Sequence, residues 1–181
     1  MQSSVILVDR HDNPTGTTAK IDAHLQPLLH RAFSILVFDS QQRLLLQKRA
    51  NDKYHSAGLW SNTCCSHPGT DDLIGPEAAT RLQEEMGFTT ALEKIGTLHY
   101  ELELSGGLFE YEFNHVFCGS SDRTPQPNST EVSEWQALPL NEITTLLQEH
   151  PERFTAWFPL ILERLAAPIQ HYLNRKNSEQ Q

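Results

Sequence analysis

The chain has 181 residues, 38% hydrophobic and 20% charged, which is enough for one domain with a sizeable core. Its net charge of −9 (14 basic against 23 acidic residues) leaves no basic footprint for nucleic acid or an anionic membrane, and no apolar run approaches the ~20 residues that cross a bilayer. Three cysteines, two of them adjacent, make a poor disulfide framework and suit a reducing compartment, so a cytoplasmic protein is expected.

Residues 5–8 read as an opening strand without the basic lead of a signal peptide, and Asn13-Pro14-Thr15-Gly16 as a turn. His24 and His30 follow, separated by a segment around Pro27. Six is no helical repeat, so the two imidazoles converge only if the chain bends between them. Residues 31–38 and 43–49 are apolar runs about a polar turn and predict a hairpin. Arg49 and Lys53 flank the loop over 50–58, which leads into Thr63-Cys64-Cys65-Ser66-His67-Pro68. Two thiols beside an imidazole, stopped by a proline, suit acid–base chemistry or metal ligation, although buried cysteines are also common as small hydrophobes.

Gly75-Pro76-Glu77 is a helix entry, and Gly87 stands where a left-handed residue ends that helix after Met86. Arg81 and Glu85 share its face at a spacing of four. Residues 99–104 and 108–118 predict a second hairpin about Gly106-Gly107. In its second arm, Phe109-Glu110-Tyr111-Glu112-Phe113 sets two carboxylates on one face, an arrangement that costs energy unless a cation lies between them. A Pro, Ser and Asn-rich loop (120–133), a short strand (135–138), an amphipathic helix (141–150) and a helical pair (158–173) complete a single domain over 1–174, with a disordered tail over 175–181. His24, His30, His67, Glu110 and Glu112 form a mixed nitrogen and oxygen set suited to Mn²⁺, Zn²⁺ or Mg²⁺.

Taken together, the Thr63 to Pro68 motif, Tyr100, Glu110-x-Glu112, Trp157, His24 and His30-Arg31-Ala32-Phe33-Ser34 resemble the type I isopentenyl-diphosphate Δ-isomerases of the Nudix superfamily, from about Lys20 to Trp157. Residues 81–88 resemble the back half of a Nudix box, but Thr80 and Arg81 stand where the box has Arg-Glu. The resemblance implies a Nudix-like α/β/α sandwich with a mixed β-sheet and a small-molecule diphosphate substrate. It makes Cys65, Glu112 and Tyr100 catalytic, and His24, His30, His67, Glu110 and Glu112 ligands of a divalent ion. It gives the diphosphate to Lys20, Arg49, Lys53, Ser66 and Arg81, with a Mg²⁺ shared through Glu85, and Trp157 to a carbocation. Cys64 receives no role. The expected protein is a monomer acting without nucleic acid or membrane. A Nudix pyrophosphohydrolase and a non-catalytic diphosphate sensor are the alternatives: the degraded box and the spare Cys65/His67 pair count against the first, and the second leaves Cys65 and Tyr100 without a task.

Overall fold

The protein is organised on β3 (His30–Phe38), buried at all nine positions in a computed structural model that describes residues 4–69 and 74–179. An apolar strand without alternation needs cover on both faces. Phe33, Ile35 and Val37 pack against Ala78, Leu82 and Met86 of α2 (Ile74–Met86). Leu36 and Phe38 point the other way, into a cluster with Phe158 and Ile161 of α4 (Trp157–Arg164) and Ile169 and Tyr172 of α5 (Ala166–Glu179). Helices therefore cover both faces of the sheet, giving the α/β/α sandwich.

The sheet is mixed. β3 runs parallel to β8 (Leu108–Ser120), in register from His30 opposite Glu112 to Phe38 opposite Ser120, and antiparallel to β6 (Cys64–Ser66). β8 in turn pairs with β7 (Leu92–Leu104), a hairpin longer than the sequence predicts, turning at Gly106 and Gly107 with φ of 79° and 71°. β1 (Ser4–Val8) pairs with β2 (Pro14–Ala19) and touches β3 where Leu7 faces His30. β4 (Arg43–Arg49) carries β5 (Trp60–Ser61) and β9 (Val132–Pro139). Two further helices, α1 (Lys20–Leu25) and α3 (Leu140–Glu149), flank the sheet.

Three sequence expectations change. The predicted hairpin over 31–49 closes only at its turn, where Phe38 faces Leu44. Beyond it β3 takes β6 and β8 while β4 takes β5 and β9, because both strands are buried and each needs two edges filled. The turn expected at 13–16 falls over residues 9–13, where Asp9 Oδ1 accepts the backbone N–H groups of His11 (2.8 Å) and Asn13 (3.0 Å), and Pro14 opens an edge strand, a position that needs no N–H. The disordered tail expected over 175–181 is instead helical to Glu179, held by Arg175 Nη2 on both carboxylate oxygens of Glu93 at 2.6 Å; residues 180–181 lie outside the described residues. No helix among the described residues is long and apolar enough to cross a membrane, and Cys64, Cys65 and Cys118 are free.

Candidate active site and metal centre

The β3–β8 register sets His30 beside Glu112, and the alternation of β8 turns Glu110 to the same face. The bend between α1 and β3 brings His24 to within 5.0 Å of His30, ring centroid to centroid, and the end of β6 delivers His67 at the same distance from His30. One ligand atom from each of these five residues fits within a 4.8 Å cluster, and four of the five residues are buried. The Nδ1 atoms of His24 and His30 lie 2.7 Å and 2.8 Å from the carbonyls of Lys20 and Leu28. A carbonyl only accepts, so both Nδ1 atoms carry hydrogen, and the neutral rings aim Nε2 lone pairs inward. His24 Nε2 then stands 3.4 Å from Glu110 Oε2, and neither atom has a hydrogen-bond partner among the described residues. Two acceptors held face to face in a buried site call for a cation between them, and a divalent ion fits the set.

Burial favours the neutral, ligating form at two of the three imidazoles. Burial pushes His67 down to about 3 and lowers His30, while for His24 the adjoining Glu110 carboxylate outweighs burial and raises it. Burial also opposes ionisation of the two carboxyls. Burial and the Glu112 charge push Glu110 up to about 8, whereas His67, 3.0 Å from Glu112 Oε1, and His30 overcome burial and hold Glu112 below the usual carboxylate range.

Beside this cluster lies a small cavity, about 40 Å³, lined by Cys65, Glu112, Tyr100 and Trp157 among others. Cys64 and Cys65 alternate on β6: Cys64 is fully buried in the α2 layer, and Cys65 reaches the cavity. The Cys65 thiol donates to Asn62 Oδ1 at 3.0 Å and lies 3.6 Å from Ser34 Oγ. Burial pushes it up to about 11, so it is a thiol at neutral pH. Tyr100 donates its hydroxyl to Glu112 Oε2 at 2.5 Å and accepts from Asn114 Nδ2 at 2.9 Å; Asn114 also donates to Ser34 Oγ at 3.0 Å. Thr155 fixes the approach to Trp157 by a backbone bond to the Trp60 carbonyl at 2.9 Å and a hydroxyl contact with Ser61 at 3.0 Å. The Trp157 ring already attracts one cation, the Arg49 guanidinium 5.5 Å from its centroid.

A wider cleft of about 500 Å³ shares Lys20, Arg49, Cys65 and Ser66 with the cavity and adds Lys53, Arg81 and Glu85. Lys53 pairs with Glu131, and Arg81 reaches Glu85 Oε1 at 2.7 Å and Glu131 at 3.6 Å. Glu85 also accepts from Gln47 Nε2 at 3.2 Å, so it belongs to this cationic cleft and not to the histidine cluster. The sequence reading gave no role to Ser34, which it named only within a motif, or to Gln47, His55, Asn62, Asn114 and Glu131. Single polar residues inside apolar runs, such as Ser34 in β3 and Asn114 in β8, were the available signal for two of them; His55 and Glu131 sit in loops without spacing or periodicity to mark them.

Residues 28–158 match the NUDIX domain family. In fold, a Deinococcus radiodurans protein aligns over 90% of this chain and 99% of its own at a TM-score of 0.75 with 14% identity. A MutT protein from Methanosarcina mazei aligns over 76% and 93% at 0.63 with 20% identity. The class is therefore the Nudix superfamily. Among sequence relatives, an isopentenyl-diphosphate Delta-isomerase of Pectobacterium atrosepticum is 48% identical over 163 residues, 90% of this chain and 91% of that one. An isopentenyl-diphosphate Delta-isomerase 2 of Photorhabdus laumondii is 46% identical over 166 residues, 92% and 94%. Within that superfamily the chain belongs to the type I isopentenyl-diphosphate Δ-isomerases.

Proposed function

We infer that the protein interconverts isopentenyl and dimethylallyl diphosphate by adding a proton to one carbon and removing one from its neighbour. The observation that carries this reading is the meeting of a half-buried thiol, Cys65, and a buried carboxylate, Glu112, on one small cavity beside a cationic cleft. Moving an unactivated double bond requires two positioned proton carriers, and these groups serve as that pair. Tyr100 holds Glu112 through its 2.5 Å hydrogen bond. The tertiary cation between the two proton steps needs a dry pocket with a π-face, which buried Trp157 supplies.

Lys20, Arg49, Lys53, Ser66 and Arg81 bind the diphosphate, which displaces the Glu131 side chain from Lys53 and Arg81. Glu85, which lines the same cleft, would hold a Mg²⁺ that offsets the charge of the diphosphate. His24, His30, His67, Glu110 and Glu112 would hold a second divalent ion, Mn²⁺, Mg²⁺ or Zn²⁺, whose positive charge would keep the two carboxylates ionised in a buried site. A hydrolase is disfavoured because Arg81 stands at an acid position of the Nudix box and turns its guanidinium onto Glu85. The free thiols fit a reducing compartment such as the cytoplasm.

The test is incubation of the protein, Mg²⁺ and isopentenyl diphosphate in D₂O. Dimethylallyl diphosphate carrying deuterium is expected, with no phosphate released. Phosphate release without double-bond migration would establish the hydrolase instead.

A further inference from the structure

His55 has no part in the scheme above, yet it is 7% exposed and lines the cavity. It is presented by the loop between β4 and β5, where Ser56, a non-glycine residue, takes φ of 50° and Gly58 takes 71°. Strain of that kind persists only where the surroundings hold it. The loop is held: Arg49 Nη2 donates to the His55 carbonyl at 3.2 Å, and Gly58 N–H donates to the Arg49 carbonyl at 3.1 Å. The His55 ring stacks on His24 (centroids 5.6 Å apart, 25° between planes) and meets Trp157 edge-on at 5.9 Å.

The two ring nitrogens have different neighbours. Nδ1 lies 3.3 Å from Ser56 Oγ, and Nε2 lies 3.2 Å from Glu110 Oε1. The other oxygen of that carboxylate, Oε2, faces His24 Nε2 and lacks a partner among the described residues. Rotation about the last torsion of a glutamate is soft, so the neighbour on Oε1 helps decide how Oε2 is presented. In the tautomer that carries hydrogen on Nε2, with the Ser56 hydroxyl donating to Nδ1, that hydrogen lies toward Oε1 and Oε2 is left facing His24 and the cation site.

We propose that His55 is a positioning residue that fixes the Glu110 carboxylate, presenting one oxygen to the metal while packing the Trp157 ring against the same cavity. The proposal rests on the metal reading of the five-residue cluster. It assigns a task to the loop over residues 50–58, whose basic ends alone drew attention in the sequence.

The test is Mn²⁺ titration of chelator-treated protein followed by electron paramagnetic resonance. His55→Phe keeps the ring and its packing but lacks the donor, His55→Gln offers an amide N–H near the Nε2 position, and His55→Ala lacks both. Mn²⁺ affinity is expected to fall about 10–100-fold in His55→Phe and His55→Ala and to stay within a few-fold of the parent in His55→Gln. Saturating Mn²⁺ should restore most of kcat in His55→Phe with KM for isopentenyl diphosphate unchanged. Parent-like Mn²⁺ affinity in His55→Phe, or equal loss in His55→Gln and His55→Phe, would return His55 to packing. If His55→Phe does not fold, parent-like affinity in His55→Ala, or equal loss in Ala and Gln, overturns the proposal. A parent protein that binds no Mn²⁺ overturns the metal reading itself, an outcome separate from failure at His55.

Discussion

Cys64 and Cys65 are adjacent in β6 and face opposite layers, which makes the doublet its own control. Cys65→Ala is expected to lower kcat about 10²–10⁴-fold, the usual contribution of a positioned proton carrier. Cys64→Ala trims a fully buried side chain and is expected to cost stability, about 1 kcal/mol, with kcat within twofold of the parent. Steady-state kinetics and urea unfolding on both variants check this, and equal kinetic loss would put the wrong thiol in the cavity. The carboxylate pair divides in the same way. Glu110 touches the cation cluster and His55, while Glu112 also accepts the Tyr100 hydroxyl. Glu110→Gln should therefore regain activity as Mn²⁺ is raised, because a neutral amide oxygen is a weaker ligand but still a ligand. Glu112→Gln should stay inactive at any Mn²⁺ concentration, because an amide does not exchange the proton that a carboxylate does. Activity against Mn²⁺ concentration separates them; matching rescue curves would reduce Glu112 to a ligand.

At the level of elements, the end of α2 governs the diphosphate cleft. Gly87 takes φ of 76° and donates its N–H to the Gln83 carbonyl at 3.0 Å, and a Cβ there would press into the backbone carbonyl of Gln126. That neighbouring chain is tied to the helix by Gln126 N–H on the Met86 carbonyl and Asn128 N–H on the Glu85 carbonyl, both 2.9 Å, and it leads to Glu131 at the cleft. Gly87→Ala combines a left-handed backbone with a clash against backbone, so a loss on the order of 2–3 kcal/mol is expected. It should also raise KM for the diphosphate substrate, since Glu85 and Glu131 shift together. Gly106→Ala is the comparison: φ is 79°, but nothing lies within 4 Å of its Cβ position, so the loss is confined to about 1 kcal/mol and KM is unchanged. Denaturant unfolding and KM on the two variants test the argument, and equal stability losses would show that strain alone, not the Gln126 contact, sets the cost.

For the molecule as a whole, the five-residue cluster joins α1, β3, the end of β6 and β8, so a cation bound there stabilises the native fold and has no preformed site in the unfolded chain. At 100 times its dissociation constant, such a ligand adds about 2.7 kcal/mol. For a chain of this size that corresponds to a rise in Tm of roughly 5–10 °C. Calorimetry of chelator-treated protein with and without Mn²⁺ should show that rise, and His24→Ala should abolish it. An unchanged Tm in the parent would mean that the cluster holds no cation under those conditions.

Much of this site was legible along the chain, because strand alternation and motif order are local properties. The alternation of Phe109-Glu110-Tyr111-Glu112-Phe113 turned both carboxylates to one face, and the Cys64-Cys65 doublet could send only one thiol to a pocket. Gly87 and the Gly106-Gly107 pair marked backbone turns that the φ values bear out. Pairing between distant segments was not legible, since it depends on which strands fill which edges once both faces of β3 are covered. The parallel β3–β8 register, and not any spacing, sets His30 beside Glu112. The same holds for His55 and Glu131: each lies in a loop, and only the closing of the fold brings one to the Glu110 carboxylate and the other to Lys53 and Arg81. Charge and hydrogen-bond complementarity act through space, and residue order records them only where the contacting groups share one element.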